Sequence, residues 1–310
     1  MINTQVRLAI LGFGSQCSKK NAQIATTIGK MAGRNEISLV AGNVTSTFAF
    51  AFKASQEAKL ANICVIEKHK SLAEKHDATE IYRTEDTYTK HSQIAQMSDA
   101  AILIGGGSGS QLLLNHFIKH NKTVIAIEGS GGIADKIKSK KVKKVKNPSE
   151  AFKLLFTTKQ ESYLKSHIGN IKLTYNHLAL TRLDFESDDT EDLRANKNEP
   201  FVKQLLTYFK GKPTDFTGRI HLIGTEFQKR VWRAMLDIPY GKTMDFVEFS
   251  EFLGKENSEG AIGNIAVQNP IPIIIPSHRL ITKRGQYHGD KETQMRLLDL
   301  ENQQTELGLF

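Results

Sequence analysis

The sequence predicts a two-domain α/β chain: a parallel sheet wrapped by helices in the first half, then a smaller α+β arrangement. Three observations lead there. From Val6 to Phe156, short apolar runs alternate with helix-like segments, the pattern of a parallel sheet covered on both faces. Beyond residue 160, an alternating stretch is followed by a series of short amphipathic helices, which reads as a hairpin joined to a helical layer. With 310 residues, the chain is long enough for two cores of ordinary size.

Taken in order, "VRLAILGFGS" gives a buried strand from Val6 to Leu11 and then Gly12, Phe13, Gly14 and Ser15. "NAQIATTIGKMAGRN" follows with helical spacing of its apolar residues. The strands "ISLVAG", "NICVI", "AAILIGGG" and "TVIAIEG" come next, separated by helical segments. Ligands of such sheets bind beyond the carboxyl ends of the strands. Three glycine-bearing turns fall there: Gly12-Phe13-Gly14-Ser15, Ala41-Gly42-Asn43, and the run from Gly105 to Ser110, which opens the helix "SQLLLNHFIKH". Glycines let the backbone approach a phosphate, and free N–H groups at a helix start point toward it. The same glycines also suit tight turns, so both readings stand.

On "LGFGS", "VAGNVTS" and above all "SDAAILIGGGSGS", the first half resembles the lysine-decarboxylase-like, or LOG-type, nucleotide-binding Rossmann family. The resemblance implies a nucleotide or nucleotide-like ligand, with Gly12, Gly14, Ser15, Gly42, Gly106, Gly107, Gly109 and Ser110 as the holding positions. It also leaves room for a homo-oligomer formed through this domain. The hydrolase members of that family carry two glutamates shortly after the signature; Leu112 and Leu113 stand there in this chain. Leucine cannot transfer a proton, so the resemblance implies binding without the hydrolase chemistry.

"NPSEAFKLLF" is a helix start: Asn147 caps, Pro148 suits the first turn and Glu150 completes a capping-box-like arrangement. It is read as the last helix of the first domain, with "TTKQES" as a polar linker. The expected domains are therefore residues 1–158 and 159–310, the second subdivided into 159–216 and 217–310. "IGNIKLTYNHLALTRLDF" reads as a hairpin, and the acidic "DFESDDTED" from Asp184 to Asp192 as a loop. "PFVKQLLTYFKGKPTDF" is an amphipathic helix closed by Gly211 and Pro213. "GTEFQKRVWRAMLDIPYGKTMDFVEFSEFLG" supplies two more helices, and "EGAIGNIAVQN" a short one before the apolar strand that ends at Pro276-Ser277-His278-Arg279. Short helices joined by a turn fit a helix-turn-helix.

"LLTYFKGK", "GTEFQKRVW", "IPYGKT", "NPIPIIIPSHRLI" and "LLDLE" together make the stretch from Ile168 to Glu301 resemble the O6-alkylguanine-DNA alkyltransferase family. That resemblance implies an α+β domain with a winged helix-turn-helix. It implies a DNA-repair activity that flips an alkylated guanine and moves the alkyl group to a cysteine, with no cofactor required. The family's reactive motif is Pro-Cys-His-Arg, and Ser277 occupies the cysteine position. His278 matches the base, Glu301 the residue that orients it, and Asn269 the residue that shapes the turn. Phe246 replaces a tyrosine that rotates the target phosphate, and Gly260 replaces the arginine that fills the gap left by the flipped base. Arg279, Lys283 and Arg284 are candidate DNA contacts beside the pocket. The loop after "RLI" is shorter than in the family.

The chemistry of Ser277 argues against transfer. A thiol ionises near pH 8.5 and a histidine brings it to thiolate; a serine hydroxyl is far harder to ionise, and displacement at saturated carbon favours soft sulfur. A serine–histidine pair suits acyl chemistry only with an oxyanion hole. Whether the protein is an enzyme is left open. The leading expectation is a non-catalytic, DNA-associated alkyltransferase-like protein with a nucleotide-binding domain. A nucleotide-processing enzyme working through the first domain, and a protein-interaction scaffold, are the alternatives.

Composition fits these readings: 39% hydrophobic and 24% charged residues, net charge +9. No apolar run is long enough to cross a bilayer, and "MINTQVRLAILGFGS" lacks the features of a signal peptide, so no membrane partner and a cytoplasmic location are expected. Two cysteines, Cys17 and Cys64, make no disulfide framework and no metal site. Positive charge concentrates in "KIKSKKVKKVK", Lys136 to Lys146, either a solvated edge strand and loop or a patch that neutralises nucleic-acid phosphates. DNA binding is expected to be weak or non-specific.

Overall fold

A computed structural model describes residues 2–14, 17–56, 60–72, 76–186, 200–282 and 290–306. The chain forms two compact units. Gln5–Lys159 with Asn176–Ala179 make the N-terminal unit; Met1–Thr4, Gln160–Tyr175 and Leu180–Phe310 make the C-terminal one. Residues 1–4 thus fall outside the first domain as drawn from the sequence. The reason is local: Ile2–Asn3 (β1) pairs in parallel with Gly218–Arg219.

The N-terminal unit runs β2 (Arg7–Gly12), α1 (Lys19–Arg34), β3 (Ser38–Ala41), α2 (Thr47–Ser55), β4 (Asn62–Glu67), β5 (Glu80–Thr84), α3 (Thr87–Met97), β6 (Ala100–Ile104), α4 (Ser108–Lys119), β7 (Thr123–Ile127), α5 (Gly132–Lys136), β8 (Val142–Val145) and α6 (Pro148–Thr157). The seven strands lie in the order β5-β4-β3-β2-β6-β7-β8, every pair parallel. Because side chains alternate along a strand, Leu8 and Ile10 of β2 join one apolar cluster while Ala9 and Leu11 join another on the opposite face. The chain winds outward from β2 to β5 and returns to β6 beside β2. That reversal opens a crevice at the carboxyl ends of β2 and β6.

Caps fix the helix starts. Ser18 accepts from the Asn21 N–H at α1, and Asn147 from Glu150 N–H at α6. Val142–Val145 is an edge strand with Lys143 and Lys144 exposed, a charge pattern that discourages edge-to-edge pairing.

The C-terminal unit begins with β9 (Gln160–Ser166), β10 (Gly169–Tyr175) and β11 (Leu180–Glu186), an antiparallel sheet ordered β11-β10-β9. Two readings are corrected here. Part of the presumed linker is strand β9, and Asp184 to Glu186 continue β11, while residues 187–199 lie outside the described residues. Sheet pairing prevails over local polarity: Leu164, Leu173 and Leu183 supply buried side chains that a linker would not need. Then follow α7 (Pro200–Tyr208), β12 (Gly218–Arg219), α8 (Glu226–Met235), β13 (Met244–Asp245), α9 (Phe246–Phe252), α10 (Glu259–Val267), a 3-10 turn (Ser277–Arg279), β14 (Leu280–Ile281) and α11 (Lys291–Glu306). One cluster containing Tyr208, Trp232, Phe249 and Ile275 forms the core. Among the described residues, no helix is long and apolar enough to cross a membrane.

Candidate functional site

Each unit has a cleft that gathers polar residues. In the N-terminal unit, a cavity of about 290 Å³ is bordered by Gly12, Phe13, Gly14, Gly42, Asn43, Lys90, His91, Gly107, Gly109 and Ser110. Gly105 turns the chain with φ +63°, and a Cβ there would lie 2.3 Å from the Phe13 ring, so only glycine fits. Gly106 also has positive φ and does not border the cavity; its carbonyl accepts from the Ile133 N–H at 3.0 Å, so it serves the turn. Gly107 caps α4 without any side-chain hydrogen bond, and a Cβ there would meet nothing within 4 Å. Gly107, Ser108, Gly109 and Ser110 all border the cleft, and the first N–H groups of a helix have no partner within it, which suits an anion there.

The remaining polar groups have assigned partners or charges. Ser110 Oγ donates to the Gly12 carbonyl at 2.9 Å, tying the first turn of α4 to the end of β2. Lys90 Nζ lies 2.7 Å from Glu67 Oε1. Burial pushes the Glu67 carboxyl up, but hydrogen bonds from Lys90 and Thr87 outweigh it and hold it down to about 2. Burial, with Lys90 and His116 nearby, pushes His91 down to about 4, so its imidazole is neutral at pH 7. Ser15 lies outside the described residues.

In the C-terminal unit, a cavity of about 190 Å³ is bordered by Phe185, Phe246, Val267, Asn269, Ser277, His278, Gln294 and Leu297, among others. Asn269 organises its rim. Its Nδ2 donates to the Ile275 carbonyl at 2.8 Å and to Ser277 Oγ at 2.9 Å, while its Oδ1 accepts from the Ile271 N–H. Asp245 caps α9 through the Val247 and Glu248 N–H groups and sets Phe246 against the cavity.

Beneath the rim lies a buried cluster centred on Glu301, which is 0% exposed. Tyr208 O–H donates to its Oε1 at 2.7 Å and the Gly241 N–H to its Oε2 at 3.0 Å. His278 Nε2 is 2.8 Å from Oε1. Arg279 Nε and Nη2 each reach the carboxylate at 3.0 Å. Burial raises the Glu301 carboxyl, but His278 and Arg279 together outweigh it and hold it down to about 2. Burial pushes His278 down, partly offset by Glu301, so the ring is neutral with its proton on Nε2. Its Nδ1 is buried and has no partner. Ser277 Oγ thus meets Asn269 and not His278; the nucleophile–base hydrogen bond of a serine hydrolase is not formed.

Comparison with known proteins follows the same division. Residues 5–162 match the SLOG cluster4 family. Residues 160–222 match the ribonuclease-like domain of 6-O-methylguanine DNA methyltransferase, and residues 226–303 match its DNA binding domain. A methylated-DNA-protein-cysteine methyltransferase of Mycobacterium leprae is 39% identical over 158 residues, covering 47% of this chain and 96% of the relative. The chain belongs to the SLOG cluster4 family and, through its second half, to the 6-O-methylguanine DNA methyltransferase family.

Solved structures similar to the two halves include Mycobacterium tuberculosis O6-methylguanine methyltransferase, 33% identical at a TM-score of 0.43, covering 47% of this chain and 94% of that one. The molybdenum cofactor binding protein of Rippkaea orientalis is 16% identical at a TM-score of 0.43, covering 48% and 94%. Both cysteines of the chain, Cys17 and Cys64, lie in the SLOG unit. The methyltransferase unit has none.

Within the methyltransferase unit, Ser277, His278, Asn269 and Phe246 meet at one cavity, and Glu301 holds His278 from below. Gly260 sits exposed near the start of α10, where a Cβ would meet nothing within 4 Å. One expectation is corrected. Arg279 is not an outward DNA contact: it is 8% exposed, paired with Glu301, and its Nη1 donates to the Ile238 carbonyl at 2.6 Å. A buried carboxylate requires a buried cation. Lys283 and Arg284 lie outside the described residues. The sequence reading assigned no role to Tyr208, Gln294, Lys90 or His91; each is a polar residue on a helix face otherwise buried, the one signal that marked them.

Proposed function

We propose that the methyltransferase unit engages DNA and can hold an alkylated base without accepting its alkyl group, while the SLOG unit binds a phosphorylated, nucleotide-like ligand. One observation supports the first half: Ser277 sits among Asn269, His278 and Glu301, and no cysteine exists anywhere in the unit. The Mycobacterium leprae relative is named a protein-cysteine methyltransferase, whose acceptor is a thiol. The Ser277 hydroxyl accepts from Asn269 and, among the described residues, has no base within hydrogen-bond reach. Neutral His278 has a lone pair on Nδ1, yet moving the Ser277 proton through any bridge would produce an alkoxide, a hard and strongly basic nucleophile ill-matched to saturated carbon.

Engagement of DNA is expected to be weak. In this reading α9 and α10 form the helix-turn-helix, and α10 (Glu259–Val267) carries no lysine or arginine to neutralise phosphate. Gly260 supplies no side chain to fill the space of a flipped base, whose unstacking costs a few kcal/mol. Phe246 supplies no hydroxyl. For the SLOG unit, the uncapped start of α4 at the Gly107 cleft supports an anionic ligand. The exposed lysines of the 136–146 stretch are the proposed source of sequence-independent DNA affinity.

A gel-shift titration with plain and O6-methylguanine duplexes, each with and without a nucleoside monophosphate, tests the proposal. The expected result is salt-sensitive binding to both duplexes with a modest preference for the lesion. No binding to either at low salt would refute the DNA role.

A further inference from the structure

Asn176–Ala179 belong to the SLOG unit, although the chain on either side of them belongs to the methyltransferase unit. They form a tight turn. Asn176 Oδ1 accepts from the N–H groups of Leu178 and Ala179 at 2.8 and 2.9 Å, and the Asn176 N–H donates to the Ala179 carbonyl at 3.1 Å. Leu178 and Ala179 are buried in the cluster that holds Phe152 and Leu155 of α6, and the His177 N–H donates to the Leu155 carbonyl at 3.1 Å. The imidazole of His177 adds two side-chain contacts. Its Nδ1 lies 3.0 Å from Thr123 Oγ1, on the first residue of β7. Its Nε2 lies 2.8 Å from Lys143 Nζ, on the edge strand β8. An ammonium has donors only, so Nε2 must be the acceptor. The ring proton therefore sits on Nδ1 and faces Thr123, and the imidazole is neutral.

We propose that His177 is an acid-opened latch: neutral, it fastens the Asn176–Ala179 turn to β7 and β8; protonated, it sets an N–H against the Lys143 ammonium and frees the turn. The second proton would go to Nε2, the atom that now accepts, so a donor would face a donor and two cations would stand a hydrogen bond apart. Burial first, and then Lys143, push the pKa of His177 below its ordinary 6.5, and Lys143 is the one charged side chain that does so among the described residues. Thr123 and the Leu155 carbonyl, its other partners, do not titrate. Because the folded value is depressed, the contribution of the ring is whole above pH 6.5 and is lost as pH falls below it. Between 6.5 and the folded value, each pH unit makes opening of the turn about tenfold easier.

Hydrogen exchange of the full-length protein tests the latch, read at the amides of His177, Leu178 and Ala179 from about pH 7.5 to about pH 5 and corrected for the intrinsic pH dependence of exchange. The opening constant is expected to be flat above about pH 7 and to rise by up to about tenfold per pH unit below 6.5. Amides of β6, inside the sheet, should keep their protection over the same range. His177→Gln retains a side-chain acceptor for Lys143 and does not titrate, so its profile should be flat. Lys143→Met removes the facing cation and should make the rise smaller. No rise in the unaltered protein, an equal rise in His177→Gln, or a rise shared equally by the β6 amides overturns the latch.

Discussion

Replacing Glu301 with glutamine removes one charge from the centre of the methyltransferase unit and keeps the shape. Five donor atoms converge on that carboxylate: Tyr208 O–H, the Gly241 N–H, His278 Nε2, and Nε and Nη2 of Arg279. In the variant, the Arg279 guanidinium stays buried without an anion, and the new amide NH2 faces donors. Breaking a buried pair in this way costs about 3–5 kcal/mol. The depression of the carboxyl gives a second figure for the same contacts. Glu301 titrates at about 2 in the folded protein against 4.5 ordinarily, and at 1.36 kcal/mol per pH unit that difference is about 3 kcal/mol. Because the folded value is depressed, this stability is present above pH 4.5 and is lost as pH falls toward 2. Burial also depresses His278, so its contribution starts to fall earlier, below its ordinary 6.5. Trp232 is the only tryptophan of the chain, 2% exposed in this unit, so its fluorescence in a urea titration follows the unit that is perturbed. Glu301→Gln should lower its stability by about 3 kcal/mol or more and make the acid limb below pH 4.5 shallower. A loss under about 1 kcal/mol, or an unchanged acid limb, would refute the view that this cluster holds the site together.

Three further outcomes follow from the same geometry. Ser277→Cys alone should restore little methyl transfer from O6-methylguanine DNA, and adding Phe246→Tyr and Gly260→Arg should restore more; Gly260 has open space for the new side chain, and labelled-methyl counting distinguishes the two. Gly107→Trp should leave the fold intact, since a Cβ there meets nothing within 4 Å, but should abolish any rise in melting temperature given by nucleoside monophosphates. Changing Lys140, Lys141, Lys143 and Lys144 to glutamine should weaken binding to all DNA sequences alike and flatten its salt dependence, read from gel shifts at several salt concentrations.

The central strands and the glycine turns were legible because their signals are local. A run such as "AAILIGGG" states both its burial and its turn. β9 was not legible, because only Ser162 and Leu164 of "QESYLKS" are buried and an edge strand of that kind is locally as polar as a linker. The candidate site divides in the same way. Ser277, His278, Asn269 and Glu301 could be named through motifs that resemble a known family, and three of them border one cavity with Glu301 beneath. Arg279 was misread because a cation beside a pocket looks like a phosphate contact until its partner, 22 residues away, is known. Gln294 and Tyr208 sit on helices whose patterns are unremarkable; their roles depend on which carbonyls and carboxylates the tertiary fold brings within 3 Å.

The central claim is that the methyltransferase unit keeps the frame of its family but cannot take the alkyl group. Intact-mass spectrometry of the full-length protein, after incubation with excess O6-methylguanine duplex, tests it most directly. The account predicts an unchanged mass and lesions left intact in the DNA. A stoichiometric gain of one methylene on the protein, above all on a peptide containing Ser277, would contradict it.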